Sequence, residues 1–142
     1  MTQTQPARQF HAKGKLAEQE TLQEGGAKVT LEVPETSYRL ELLTLKPVDT
    51  PVGKPIAGTI RVSARRVDVV RTGGRYIEPV FGRPRRVQGR VLSIDGGTNS
   101  ITVQAGVPVV LKLNRHQRAD AFQLDDLVSC DVLPGATFSP EV

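Results

Sequence analysis

The sequence predicts an all-β protein: a small, mostly antiparallel β-barrel with one short helix and a flexible N-terminal arm. Three observations lead there. From Ser37 onward apolar residues recur with period two, as in Tyr38, Leu40 and Leu42 set against Arg39 and Glu41. Gly, Pro, Asn and Asp fall between these short runs, where turns need them. Before them, large apolar side chains are sparse over residues 1–35, Phe10, Leu16 and Leu22 among them. Such a stretch buries too little area to offset its ordering entropy, so it reads as an arm with a helical turn or two over Leu16 to Glu24.

The barrel domain is expected over 36–142. After the Tyr38–Leu42 strand comes a turn-rich linker with Pro47, Asp49, Pro51, Gly53 and Pro55. Ile60, Val62 and Ala64 then alternate with Arg61, Ser63 and Arg65. The apolar parity flips afterwards to Val67 and Val69, which one extra residue near Arg65 and Arg66, a β-bulge, would produce. Gly73 and Gly74 end that strand. Val87 to Ile94 is the next, with Gly89 marking a bend. Asp95-Gly96-Gly97 is a hairpin turn, and Ile101, Val103 and Ala105 return from it. Val107 to Leu113 alternates again. Asn114 is placed to cap a short helix from Arg115 to Phe122. Leu127 to Leu133 is the last clear strand, closed by Pro134 and Gly135.

Length and composition set outer bounds. A chain of 142 residues is one domain's worth and can bury a core without staples. Cys130 is the single cysteine, so no intramolecular disulfide forms. That fits a reducing compartment. No apolar run approaches the roughly 18 residues of a membrane span. Met1 to Gln9 is polar and lacks the apolar segment of a secretory signal. A cytoplasmic location is the expectation.

Charge is the most local feature of the chain. Arg61, Arg65, Arg66, Arg71, Arg75, Arg83, Arg85, Arg86 and Arg90 meet only Asp68 and Glu78, and no lysine intervenes. This stretch is therefore +7, while the whole chain is +4 and the remainder sums to −3. The planar guanidinium suits phosphates, carboxylates and aromatic faces better than an ammonium does. A concentrated arginine surface usually meets an anionic partner.

The strand order from Val87 to Leu133, with a Gly-rich turn after the first strand and a helix before the last, resembles an OB fold. The local residues resemble the S1 and initiation-factor-one type of OB module. They are Gly89, Arg90, Val91, Ser93 and Ile94, then Asp95-Gly96-Gly97, then Val109 to Leu113 and Asn114 to Arg118, ending at Leu124 to Val128. The resemblance covers residues 87–135. It implies an OB-like barrel and nucleic-acid binding. Only Ala136 to Val142 follows Leu133, so the closing fifth strand is expected from upstream, within Gly58 to Val70.

The loop 71–86 is the best candidate site. It interleaves Arg71, Arg75, Arg83, Arg85 and Arg86 with Tyr76 and Phe81, two of only six aromatics. Arginines contact phosphates while rings stack on unpaired bases. Two other readings stand beside this one. The rings can pack the loop against the barrel while the arginines merely solvate it. Alternatively the loop docks on an acidic protein surface or on another copy of the chain. Arg61, Arg65 and Arg66 read more simply as a charged sheet face.

Catalysis has little to stand on. His11 and His116 have no Cys or second His at metal-ligand spacing. Cys130 sits on an apolar strand face, as a buried structural thiol would. Asp120, Asp125 and Asp126 fit a turn. Gly73-Gly74 and Gly96-Gly97 lack a phosphate-loop context. No catalytic residue, metal or cofactor is expected. The function read from sequence is a non-catalytic module for single-stranded RNA or DNA, the alternative being a protein-interaction or self-assembly module.

Overall fold

In the computed structural model, which describes residues 10–141, the alternating runs become strands. Twelve lie among the described residues: β1 (Ala12–Thr21), β2 (Ala27–Glu32), β3 (Arg39–Thr44), β4 (Pro55–Ser63), β5 (Asp68–Val69), β6 (Tyr76–Glu78), β7 (Phe81–Gly82), β8 (Arg86–Asp95), β9 (Ser100–Gln104), β10 (Pro108–Lys112), β11 (Leu127–Asp131) and β12 (Thr137–Pro140). All belong to one sheet.

β4 organises that sheet because its two halves serve two different rings. Gly58 pairs with Ala12 of β1 on one edge and with Pro140 of β12 on the other. Three residues later Arg61 pairs with Val110 of β10 and with Thr137 of β12. The first ring runs β1–β2–β3–β12–β4 and closes back on β1. The second runs β4–β10–β9–β8–β11. It closes where Ala64 bridges Val132, the Leu133 N–H reaches the Ser63 carbonyl at 2.8 Å and the Arg65 N–H reaches the Asp131 carbonyl at 2.9 Å. This second ring is the OB-like barrel. β4, which overlaps the stretch Gly58 to Val70 expected to close it, lies parallel to β10. One continuous core fills both rings, with Leu16, Leu31, Leu40 and Phe138 on the strands of the first, Val87, Ile101, Val103, Leu111 and Val128 on those of the second, and Ile60 and Val62 on the shared strand.

The expected arm is corrected from Ala12 onward. β1 and β2 form a hairpin, and β2 pairs with β3 over six residues from Ala27 opposite Thr44 to Glu32 opposite Arg39. A boundary at residue 35 would cut that ladder. Leu16 to Thr21 is therefore strand, not helix, and Leu22 to Glu24 begins the turn into β2. The misreading has a cause: the inward positions of β1 are Ala12, Gly14 and Leu16, two of them too small to register as apolar. Gly14 is small by necessity, since a Cβ there would meet the Leu31 side chain at 2.8 Å. The part of the arm before Phe10 lies outside the described residues.

Two further expectations change form. The helix over Arg115 to Phe122 is reduced to a 3-10 turn at Ala119–Ala121. Side chains in this segment bind neighbouring backbone instead. Asn114 reaches the Arg65 carbonyl and accepts from the His116 N–H, and Gln117 bonds both the N–H and the carbonyl of Val67 at 2.8 Å. The bulge near Arg65 and Arg66 is a strand break, where the chain leaves β10 and moves onto β11 as β5. Val69 points out and is exposed. Register shifts occur elsewhere, at Leu16/Glu18 and Val91/Ser93.

Candidate functional site

The basic loop is built into the sheet. β6 pairs antiparallel with β8, setting Tyr76 opposite Gln88, Ile77 opposite Val87 and Glu78 opposite Arg86. β7 pairs parallel with β3, setting Phe81 beside Arg39. Residues 76–82 thus span from the second ring to the first, turning through a cis Glu78–Pro79 peptide. The Arg39 N–H donates to the Val80 carbonyl at 2.7 Å and the Arg85 N–H to the Glu78 carbonyl at 2.8 Å.

Two residues outside the loop hold it. The Tyr38 hydroxyl donates to the Ala105 carbonyl and accepts from the Ile77 N–H, each at 2.9 Å. Gln88, itself buried, donates to the Gly74 carbonyl at 2.8 Å and accepts from the Tyr76 hydroxyl at 3.1 Å. Gly73 has a φ of +124° and packs so close to Gln88 that a Cβ would come within 2.5 Å of its amide nitrogen. Glycine answers both demands.

These constraints sort the candidate residues. Arg83, Arg85 and Arg86 come together in a groove of about 800 Å³, whose other walls are Glu78, Pro79, Val80, Pro84, Asp131, Val132, Pro134 and Arg65. Arg71 and Arg75 are exposed ahead of β6 and do not line it. Tyr76 is half-buried with its hydroxyl bonded to Gln88. Phe81 is 59% exposed, between the lining residues Val80 and Arg83 in sequence. Arg65, read from sequence as part of a charged sheet face, belongs to the groove. Nothing local signals this: the strand break after Ala64 turns it there, and the break shows in sequence only as a parity flip.

The arginines differ in how far they are committed. Arg86 donates to Asp131 Oδ1 and to Ser129 Oγ, both at 2.8 Å. The nearby Tyr76 hydroxyl and the Asp131 carboxylate push its pKa above the ordinary value. Among the described residues, Arg65, Arg83 and Arg85 make no side-chain ion pair. Comparison with protein-family models, with curated proteins and with solved structures returned no match. The groove is read from its own chemistry: three guanidinium groups without an ion pair, a fourth held by Asp131, and the Glu78 carboxylate, between proline and valine walls.

Other groups nearby offer less. Burial pushes the Cys130 thiol up to about 12, so it stays protonated and unreactive at neutral pH. No group of three His, Cys, Asp or Glu side chains among the described residues is placed to hold a metal ion. No helix among them is long and apolar enough to cross a membrane.

Proposed function

We propose that the protein is a non-catalytic binding module for single-stranded nucleic acid, with the arginine groove tracking the phosphate backbone. The observation that carries this reading is the convergence of Arg65, Arg83 and Arg85, none in an ion pair among the described residues, in one groove whose lining residue Val80 precedes the exposed Phe81 in sequence. Unpaired guanidinium groups in a shallow channel suit a chain of phosphates. The likeness of residues 87–135 to S1-type OB modules points the same way. A reducing, cytoplasmic setting fits the free buried Cys130.

The test is fluorescence anisotropy with short single-stranded RNA and DNA across a salt series. Binding is expected to weaken with salt at a log–log slope near −2, about −0.7 for each of three neutralised phosphates. Affinity weaker than roughly millimolar at low salt for mixed pools of both polymers overturns the proposal.

A second reading has its own support. The groove walls include Pro79, Val80, Pro84, Val132 and Pro134, and apolar walls of this kind also suit an acidic protein segment or another copy of the chain. In that case sedimentation at low salt detects an oligomer, and Arg83→Glu with Arg85→Glu dissociates it.

A further inference from the structure

The described aromatic side chains divide sharply. Tyr38, Phe122 and Phe138 are buried in the core and Phe10 and Tyr76 are half-buried, but Phe81 is 59% exposed. A ring left in water forgoes burial worth about 1.5–3 kcal/mol, yet this one is not on a loose loop. Its backbone is paired to β3, and the N–H of Arg39 is bonded to the preceding carbonyl of Val80.

One side of the ring is occupied. The Arg39 guanidinium lies 5.5 Å from the ring centroid. Arg39 is in turn paired with Glu32 and with Glu18, the latter at 3.3 Å. Cation and ring form a preorganised stack that ends in solvent, one residue from the groove wall at Val80.

Resting on the reading of the groove as a single-strand channel, we infer that Phe81 is a stacking platform for one unpaired base, with Arg39 beneath it as its positioning residue. A flat π-ligand covers the exposed ring and completes an arginine–ring–base sandwich, with the groove residue Arg83 two positions further along the chain. An acidic peptide without aromatic residues supplies the anions but no plane for the ring. The inference therefore selects a ligand with unpaired bases over a polyanion as such.

The experiment compares a short oligothymidine with an abasic strand of the same length, binding each to the full chain at several salt concentrations. The expected result is roughly ten-fold weaker binding of the abasic strand, with an unchanged salt slope. Phe81→Ala is expected to remove that difference and leave abasic binding untouched. Arg39→Lys keeps the charge but loses the planar guanidinium, and is expected to shrink the difference. Phe81→Trp is expected to preserve or enlarge it. Equal affinity for the two strands, both sensitive to Arg83→Ala, overturns the platform and leaves the phosphate groove standing. Failure of both strands to bind overturns both readings.

Discussion

The Tyr38 hydroxyl donates to the Ala105 carbonyl at 2.9 Å, joining the turn between β2 and β3 of one ring to the end of β9 in the other. The same oxygen accepts from the Ile77 N–H, so a single buried side chain also anchors the strand that opens the arginine segment. Gly106, with φ +93°, makes room for it, since a Cβ there would meet the ring at 2.8 Å. Tyr38→Phe leaves a buried donor and a buried acceptor unpaired. The expected cost is about 1–3 kcal/mol in urea denaturation, with faster amide exchange at Ile77. A variant as stable as the parent would show that water replaces the hydroxyl.

Alkaline pH should expose the same core from another direction. Burial raises the Tyr38 pKa above its ordinary 10.0 and the Cys130 pKa from 9.0 to about 12. Both groups hold their proton more tightly folded than unfolded. Their stabilisation is complete below the unfolded pKa and is lost as pH rises through the folded one. The thiol's share is therefore expected to decline between about pH 9 and 12, and the phenol's above pH 10. Cys130→Ala is expected to flatten the first part of that decline in urea titrations. An equally steep fall in the variant removes the thiol as its cause.

How much of this was legible from sequence follows from what each element depends on. β8, β9, β10 and β11 could be read because Val, Ile and Leu alternate there with polar residues and Asp95-Gly96-Gly97 marks the turn. β1 could not, since two of its inward positions are Ala12 and Gly14, whose smallness serves the close approach of β2. β2 carries its own signal in Ala27, Val29 and Leu31, but its neighbours diluted it. The arginine richness of the site was plain. Its division was not, because what separates Arg83 and Arg85 from Arg71 and Arg75 is the pairing of β6 and β7 with distant strands. Arg65 and Arg39 came to the site through tertiary structure alone.

The shared strand makes Gly58 a sensitive position. It is buried between β1 and β12, and an added Cβ would lie 2.7 Å from the Phe138 ring and 2.9 Å from Pro140 Cα. Phe138 is only 2% exposed and cannot swing out without opening the core. Gly58→Ala is expected to cost about 1–3 kcal/mol or more, read as a lower urea midpoint with an unchanged m-value. Gly96→Ala is the control, for no atom lies within 4 Å of its added Cβ. Equal stability of the two variants would mean that β12 shifts freely along β4.

Arg86 and Arg83 sit in one groove but should respond oppositely to mutation. Arg83 makes no ion pair among the described residues, so Arg83→Ala is expected to leave stability within about 0.5 kcal/mol and to flatten the salt slope of binding by about 0.7. Arg86 is committed to Asp131 and Ser129, bonds that tie β8 to β11. Its alanine variant is expected to affect stability more than binding. Asp131→Asn removes the competing carboxylate while keeping a similar shape. The guanidinium then turns toward bound phosphate, so the salt slope should steepen by about 0.7 and affinity should rise at low salt. An Asp131→Asn protein that binds with the parent's slope would show that Arg86 stays with Ser129 and takes no part in holding the anion.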